Sequence, residues 1–380
     1  MAATGTAQIQ VSLDPTSANA ATDELLAAML RANPRVSDLI FSPGRKLQVQ
    51  INGQLMTVEL TGLSSLTADD TRRIASDLIG NNKPAVGMLR EQGYCDVSYA
   101  LPGLARFRVN VFIQRGSCAV VMRVIPTAVP DFRALGAPEQ MRGLAALRDG
   151  MVLIAGPRGS GKSSTLAALL DCINETQTCH IITIEDPIEF LHNHKRATIH
   201  QRELHSDTPS VLHAMRAALR QVPNVIAVGE LKDRETMELA LEAAETGHLV
   251  LSTMNTLNAH KTVERFVGAF PSAEQVAVRE RLRLMLRCVI SQRLLPRKNE
   301  GGRVAAFEMV NSGPGLLSNL PETHSSGKRD HNERRSPSGT GKMDAEIERL
   351  VASGTVTPEI ALAHAVDAAA LAKRLAAAKE

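Results

Sequence analysis

Residues 156 to 163 read Gly-Pro-Arg-Gly-Ser-Gly-Lys-Ser, the Gly-x-x-x-x-Gly-Lys-Ser spacing of a phosphate-binding loop. This segment constrains the fold more than any other, because its chemistry needs a strand before it and a helix after it. Met151 to Ala155 is a short apolar run that suits a buried strand. Leu166, Leu169, Leu170 and Ile173 then follow the i, i+3, i+4, i+7 spacing of one helix face. Glycines let the backbone curl until its N–H groups point at phosphate oxygens, and the helix N-terminus adds positive potential. The candidate nucleotide contacts are therefore Gly156, Pro157, Arg158, Gly159, Ser160, Gly161, Lys162, Ser163 and Ser164. Lys162 can reach the outer phosphates and the Ser163 hydroxyl can ligate Mg²⁺.

A chain of 380 residues can hold two or three domains, and 44% hydrophobic content supplies a core. Its 43 basic and 40 acidic residues nearly balance, and only 3% of residues are aromatic, so neither a basic field nor a base-stacking platform points to nucleic acid. The five cysteines, Cys95, Cys118, Cys172, Cys179 and Cys288, form no Cys-x-x-Cys pair, which argues against structural zinc. Cys172, on the helix after the loop, and Cys288, assigned to an apolar helix face, read as buried thiols of a reducing compartment. No signal peptide or apolar run of membrane-span length is seen, so a cytoplasmic protein is expected.

Residues 1 to 20 read as a mobile N-terminus. Residues 21 to 130 read as a small α/β domain: a helix around Leu25 to Leu30, strands near Asp38 to Phe41 and Leu47 to Ile51, and an Asn52-Gly53 hairpin turn into Gln54 to Leu60. A helix over about Asp69 to Gly80 and strands at Asp96 to Leu101, Ala105 to Ile113 and Ala119 to Ile125 complete it. Residues 131 to 324 form a second domain, entered through a Pro-marked connection. In it, strands Met151 to Ala155, His180 to Ile184, Val225 to Val228 and Leu249 to Thr253 alternate with helices, which predicts a mostly parallel sheet. Ser272 to Gln275 read as a capping box, with Val278, Leu282, Met285, Leu286 and Val289 buried behind it. Residues 325 to 342 hold no aliphatic or aromatic residue and read as a disordered basic linker. Residues 343 to 380 read as a helical tail, with Thr357-Pro358 marking a helix start.

Hydrolysis requires a carboxylate to position water and cationic donors for the transition state. Glu185 and Glu230 each follow an apolar strand, so both are expected at the C-terminal sheet edge where ligands of such folds bind. Arg106 and Arg108 share the polar face of one strand, with Arg115 at its end. Arg123 lies among apolar residues on both faces and reads as buried. It needs an anionic partner, either a nucleotide phosphate or an internal carboxylate.

The loop, the run Thr183-Ile184-Glu185-Asp186-Pro187-Ile188-Glu189-Phe190, Val228-Gly229-Glu230 and Ala244-Glu245-Thr246-Gly247-His248-Leu249-Val250 together resemble the secretion ATPase superfamily. Arg106 to Asn110, Gln114-Arg115-Gly116, Ser37-Asp38-Leu39 and Gln201-Arg202-Glu203 bring the resemblance to the type IV pilus retraction ATPases, the twitching-motility PilT/PilU type. The resemblance implies an α/β chain with a PAS-like N-terminal domain and a RecA-like motor domain, assembled as a homohexameric ring with ATP between the two domains. It implies Lys162 and Ser163 on phosphate and Mg²⁺, and Glu230 as the Walker B acid, reaching Mg²⁺ through water. Glu185 would activate water, His248 would belong to a histidine box coupled to domain movement, and Arg106, Arg108, Arg115 and Arg123 would take the arginine positions.

The implied role is ATP-driven pilus retraction and twitching motility at an inner-membrane platform protein, with peripheral membrane association through that machinery. A second pilus ATPase is a further implied partner, and no nucleic acid is expected. Three positions depart from the family pattern. Asn255 stands where a second histidine is usual and could bond a phosphate oxygen. Arg158 replaces the usual Thr. The stretch Gly313 to Glu322 carries two glycines and two prolines where relatives have a helical motif. The alternative these departures feed is an accessory, weakly hydrolysing ring subunit that modulates a partner motor.

Overall fold

The computed structural model describes residues 8–11, 22–31, 33–51, 53–60, 65–126, 128–298, 302–311 and 343–377. The expected basic linker, most of the expected mobile N-terminus, Asn52 and the Gly313 to Glu322 stretch lie outside the described residues. The fold separates into two compact units. The first comprises Met1–Ala128 with Pro187–Leu191 and Glu203–Pro209, and the second comprises the remainder.

Among the described residues, the first unit is a seven-stranded sheet with three helices. Its elements are β1 (Gln8–Val11), α1 (Thr22–Arg31), β2 (Val36–Phe41), β3 (Leu47–Ile51), β4 (Gln54–Leu60), α2 (Ala68–Ile79), α3 (Lys83–Gln92), β5 (Tyr94–Leu101), β6 (Ala105–Gln114) and β7 (Ser117–Ile125). The strand order is β1-β4-β3-β2-β7-β6-β5, antiparallel except at the β1–β4 edge. β3 and β4 pair Ile51 with Gln54, with Gly53 at φ 79°, so the expected hairpin forms. Thr67 caps α2 by accepting from the Asp70 N–H, while the Asp70 carboxylate accepts from the Thr67 N–H. α3 was not expected from the sequence. Asn82 caps it and Pro84 fits its first turn. Phe41, Phe107, Leu39, Met29, Ile74 and Met122 fill the core beneath the helices.

The second unit begins with a 3₁₀ segment, Glu139–Ala146, and continues as β8 (Gly150–Ala155), α4 (Lys162–Thr176), β9 (His180–Glu185), β10 (Thr198–Glu203), α5 (Val211–Ala218), β11 (Val225–Val228), α6 (Arg234–Glu245) and β12 (Leu249–Met254). Then come α7 (Ala259–Gly268), α8 (Gln275–Met285), β13 (Leu286–Pro296), β14 (Arg303–Asn311), α9 (Met343–Ala352), α10 (Pro358–His364) and α11 (Ala368–Ala377). The sheet order is β10-β9-β11-β12-β8-β13-β14, with β9, β11, β12, β8 and β13 parallel and β14 antiparallel at the edge. β8, β11 and β12 are buried at every residue, as a parallel sheet covered on both faces requires. This is the predicted α/β architecture of a P-loop NTPase.

Two expectations at the end of this sheet are corrected. The capping box at Ser272 to Gln275 does not form. α8 begins only at Gln275, so Ser272 lies outside the cap position, Glu274 holds that position with no side-chain cap bond, and Gln275 Nε2 donates to the Phe270 carbonyl instead. Leu286, Cys288 and Val289 lie on β13 rather than on a helix face. Burial there pushes the Cys288 thiol up to about 12, so it stays protonated.

The tail packs on the outer sheet. Met343, Ile347, Leu350, Val356, Ala361 and Leu371 form a cluster with Leu295 of β13 and Ala306 of β14. Thr357 caps α10 as expected. Arg293 donates to the His364 carbonyl, and the Asp344 carboxylate accepts the N–H groups of Val366 and Asp367. Glu308 lies under the start of α9. Burial raises its carboxyl above the usual range, against the lowering effect of a bond from the Met343 N–H and of nearby Arg293. A raised folded-state value means that the ionised carboxylate costs stability once the pH exceeds the unfolded value. Glu308→Gln keeps an acceptor and removes that cost. It should raise the thermal midpoint at neutral pH, with the gain shrinking as the pH falls into the ordinary carboxylate range. A midpoint difference that grows toward acid pH would contradict this account.

Candidate active site at the carboxyl edge of the motor sheet

Strand register brings the candidate groups together. Met254 pairs with Ala155, and Val228 pairs with both Ile184 and Ser252. The phosphate loop after β8, Glu185 at the end of β9, Glu230 after β11 and Asn255 after β12 therefore emerge at one sheet edge. Alternating strands and helices produce this edge, since each crossover returns the chain to the opposite side before the next strand.

The loop is held tightly at its base and open at its tip. Pro157, Arg158 and Gly159 are exposed, whereas Ser160 and Lys162 are buried. Gly161 caps α4 with φ 88°. A Cβ on Gly156 would lie 2.4 Å from Ser160 Oγ and 2.6 Å from the Gln292 carbonyl oxygen. One on Gly161 would meet Gln292 Nε2 at 2.9 Å. Gln292 Oε1 accepts from Thr165 Oγ1 at 2.7 Å, which ties β13 to α4 behind the loop. Ser160 Oγ is buried with no hydrogen-bond partner, the condition of a group that a ligand oxygen would satisfy. Beside Gly161 and Ser164 lies a cavity of about 210 Å³ lined in part by Arg133, Leu294, Arg297 and Arg303. Arg303 Nη1 donates to the Gly159 carbonyl at 3.5 Å.

The charged groups are already networked. Lys162 Nζ donates to the carbonyls of Gly156 and Pro157 at 2.9 Å each, and to Asn255 Oδ1 at 2.8 Å. Asn255 Nδ2 donates to Glu230 Oε1. Glu185 Oε1 accepts from Thr183 Oγ1 at 2.6 Å and from Gln201 Nε2 at 2.9 Å, so two donors fix its orientation. Thr183 and Gln201 were not singled out for this work from the sequence. Thr183 shares Glu185's face because it lies two residues earlier on β9, whereas Gln201 reaches it only because β9 and β10 are neighbours, and β10 is a polar edge strand with little sequence signal.

Not every candidate joins this edge. His248 precedes β12, and Leu249 pairs with Gly150, so His248 lies at the opposite end of the strand from the phosphate loop. Its Nδ1 bonds the Ala243 carbonyl at 2.9 Å and it closes the end of α6. The structure does not bring it to the loop of its own chain. The arginines belong to the first unit. Arg123 is not buried: its side chain is 70% exposed, and Nε donates to buried Asp38 at 2.8 Å across the β2–β7 pair. The helices cover one face of that sheet and leave Arg123 on the other, so the internal carboxylate is its partner. Arg106 pairs with buried Glu203 at 3.4 Å, and Glu203 also accepts from the Ile188 N–H. Arg108 is exposed on the same strand, and Arg115 sits exposed at the β6–β7 turn with φ 48°.

A parallel sheet with a glycine-rich phosphate loop, two carboxylates and an amide at its carboxyl edge defines a P-loop nucleotide hydrolase. The sequence profile of the type II/IV secretion system protein family matches residues 97–366, and the chain belongs to that family of secretion and pilus ATPases. It is 41% identical to a twitching motility protein of Neisseria gonorrhoeae over 313 residues, covering 82% of each chain. It is 40% identical over 336 residues to the type IV pilus retraction ATPase PilT of Pseudomonas aeruginosa, covering 88% of this chain and 95% of that one. The crystal structure of the pilus retraction motor PilT with bound ADP superposes with a TM-score of 0.78 at 37% identity, covering 91% of this chain and 97% of the other. Among the described residues, no helix is long and apolar enough to cross a membrane.

Proposed function

We propose that the chain is a subunit of a homohexameric ATPase ring that powers type IV pilus retraction at an inner-membrane platform protein. The observation that carries this reading is the convergence of Lys162, Glu230, Glu185 and Asn255 on one sheet edge, in a chain similar over most of its length to pilus retraction ATPases. In this proposal the loop N–H groups and Lys162 hold the phosphates, Ser160 Oγ supplies a further contact, and the cavity beside Ser164 receives the rest of the nucleotide. Ser163 and Glu230 offer the hard oxygen donors that suit Mg²⁺, with Glu230 acting through water. Bound Mg²⁺ supplies charge neutralisation at the phosphate oxygens. Glu230 and Glu185 orient and deprotonate the attacking water. Arg108 and Arg115, whose side chains are exposed, are the arginines free to serve phosphate. Arg106 and Arg123 serve the first unit's own carboxylates. His248 acts on domain movement through α6 and β12 rather than by touching phosphate.

The test is steady-state ATP hydrolysis by the purified hexameric fraction, with Glu230→Gln as the blank, followed by twitching of cells that carry the same variant. Turnover well above the blank and loss of twitching in the variant are the expected results. Nucleotide binding without turnover would instead favour the accessory ring subunit, which modulates a second pilus ATPase. The observation on that side is the bond from Lys162 to Asn255, which already occupies the phosphate-binding ammonium.

A further inference from the structure

Asn255 touches two charged groups of the site, Lys162 and Glu230, through one small amide. Its oxygen accepts from Lys162 at 2.8 Å and its nitrogen donates to Glu230. The orientation of the amide follows from its neighbours, since an ammonium has no acceptor and a carboxylate has no donor. Asn255 Oδ1 and the carbonyls of Gly156 and Pro157 are among the acceptors that hold the Lys162 ammonium. An incoming phosphate must take N–H groups away from this set. When it does, the Asn255 bond to Glu230 requires no rearrangement and persists.

We infer that Asn255 is a two-ended latch: it restrains Lys162 against the incoming phosphate and holds Glu230 in its working orientation. The residue therefore weakens nucleotide binding and raises turnover, as a positioning residue that needs no contact with the reacting atoms. This inference rests on the proposed roles of Lys162 and Glu230. The backbone reinforces it, because Asn255 directly follows buried β12 and Thr256 Oγ1 bonds Thr262 Oγ1 at 2.7 Å, which fixes the segment that carries the amide.

Two substitutions at this position should shift affinity in opposite directions. Asn255→Ala removes one acceptor from Lys162 and releases Glu230. The Kd for a fluorescent ATP analogue with Mg²⁺ should fall several-fold and kcat should fall about tenfold, the scale of one hydrogen bond to a charged group. Asn255→Asp is isosteric but converts the neutral tether to an ion pair with Lys162 and sets a like charge beside Glu230. Its Kd should rise about tenfold, with kcat again reduced.

A residue that merely supports the fold would weaken binding in both variants. In a Glu230→Gln background, Asn255→Ala should cost no further single-turnover rate, because the group it positions is gone. The latch is overturned if both variants move Kd the same way, if neither moves it, or if the alanine loss persists in that background. Lys162→Ala in the same titration separates the two levels. Wild-type affinity there would overturn the site assignment itself. Lost affinity there, with no split between the Asn255 variants, would overturn the latch alone.

Discussion

Lys162→Ala should abolish Mg-ATP binding and hydrolysis together. Lys162 is buried at the first turn of α4, and its ammonium already lies among loop carbonyls at 2.9 Å. In the bound state it would exchange these neutral acceptors for phosphate oxygens. Hydrogen bonds to charged groups contribute roughly 1.5–3 kcal/mol each, so losing two predicts a fall in affinity on the order of a hundredfold or more. Alanine has high helix propensity, and α4 would keep its packing through Leu166, Leu169 and Ile173. A thermal midpoint close to wild type, combined with lost nucleotide binding in a direct titration, is the expected pair of results. Retained hydrolysis would sink the site assignment.

Glu230→Gln should separate binding from chemistry. The replacement keeps the shape of the side chain, and a glutamine oxygen can still accept from Asn255 Nδ2, so the edge should hold its arrangement. What disappears is the charge that orients and polarises water. Removing one preorganised catalytic contact costs on the order of a hundredfold or more in kcat. Nucleotide affinity should stay near wild type. A loss of tenfold or less would move the main catalytic role to Glu185, which Thr183 and Gln201 hold in a fixed orientation.

The phosphate loop and the two carboxylates were legible in the sequence because each sits at the end of an apolar run too short for a buried helix. Parallel strands of this kind carry their own boundaries, and the alternation of elements gives the sheet. The end of the sheet was harder to read. α8 passes into β13 at Met285–Leu286 with no glycine or proline between them, so apolar residues of a helix and a strand merge into one run. The exposure of Arg123 is hidden in the sequence for a related reason. Val121, two residues before it, is half-buried on the same open face, and its apolar character hides the side on which the arginine emerges. The Asn255 bridge was beyond any local pattern, because it joins three strand ends that only the register of β8, β11 and β12 aligns.

The fit between Gln292 and the loop has an evolutionary corollary. A methyl group at Gly156 would come within 2.6 Å of the Gln292 carbonyl oxygen, and one at Gly161 within 2.9 Å of its amide nitrogen. Both glycines are thus demanded by the strand behind the loop, whether or not a nucleotide ever arrives. In a lineage whose copies lost the ability to turn over ATP, selection on folding alone would preserve the glycine signature long after the chemistry had decayed. Among descendants of this chain, the glycines would be a poor gauge of a living motor, and drift at Lys162, Glu230 and Asn255 would be the informative record.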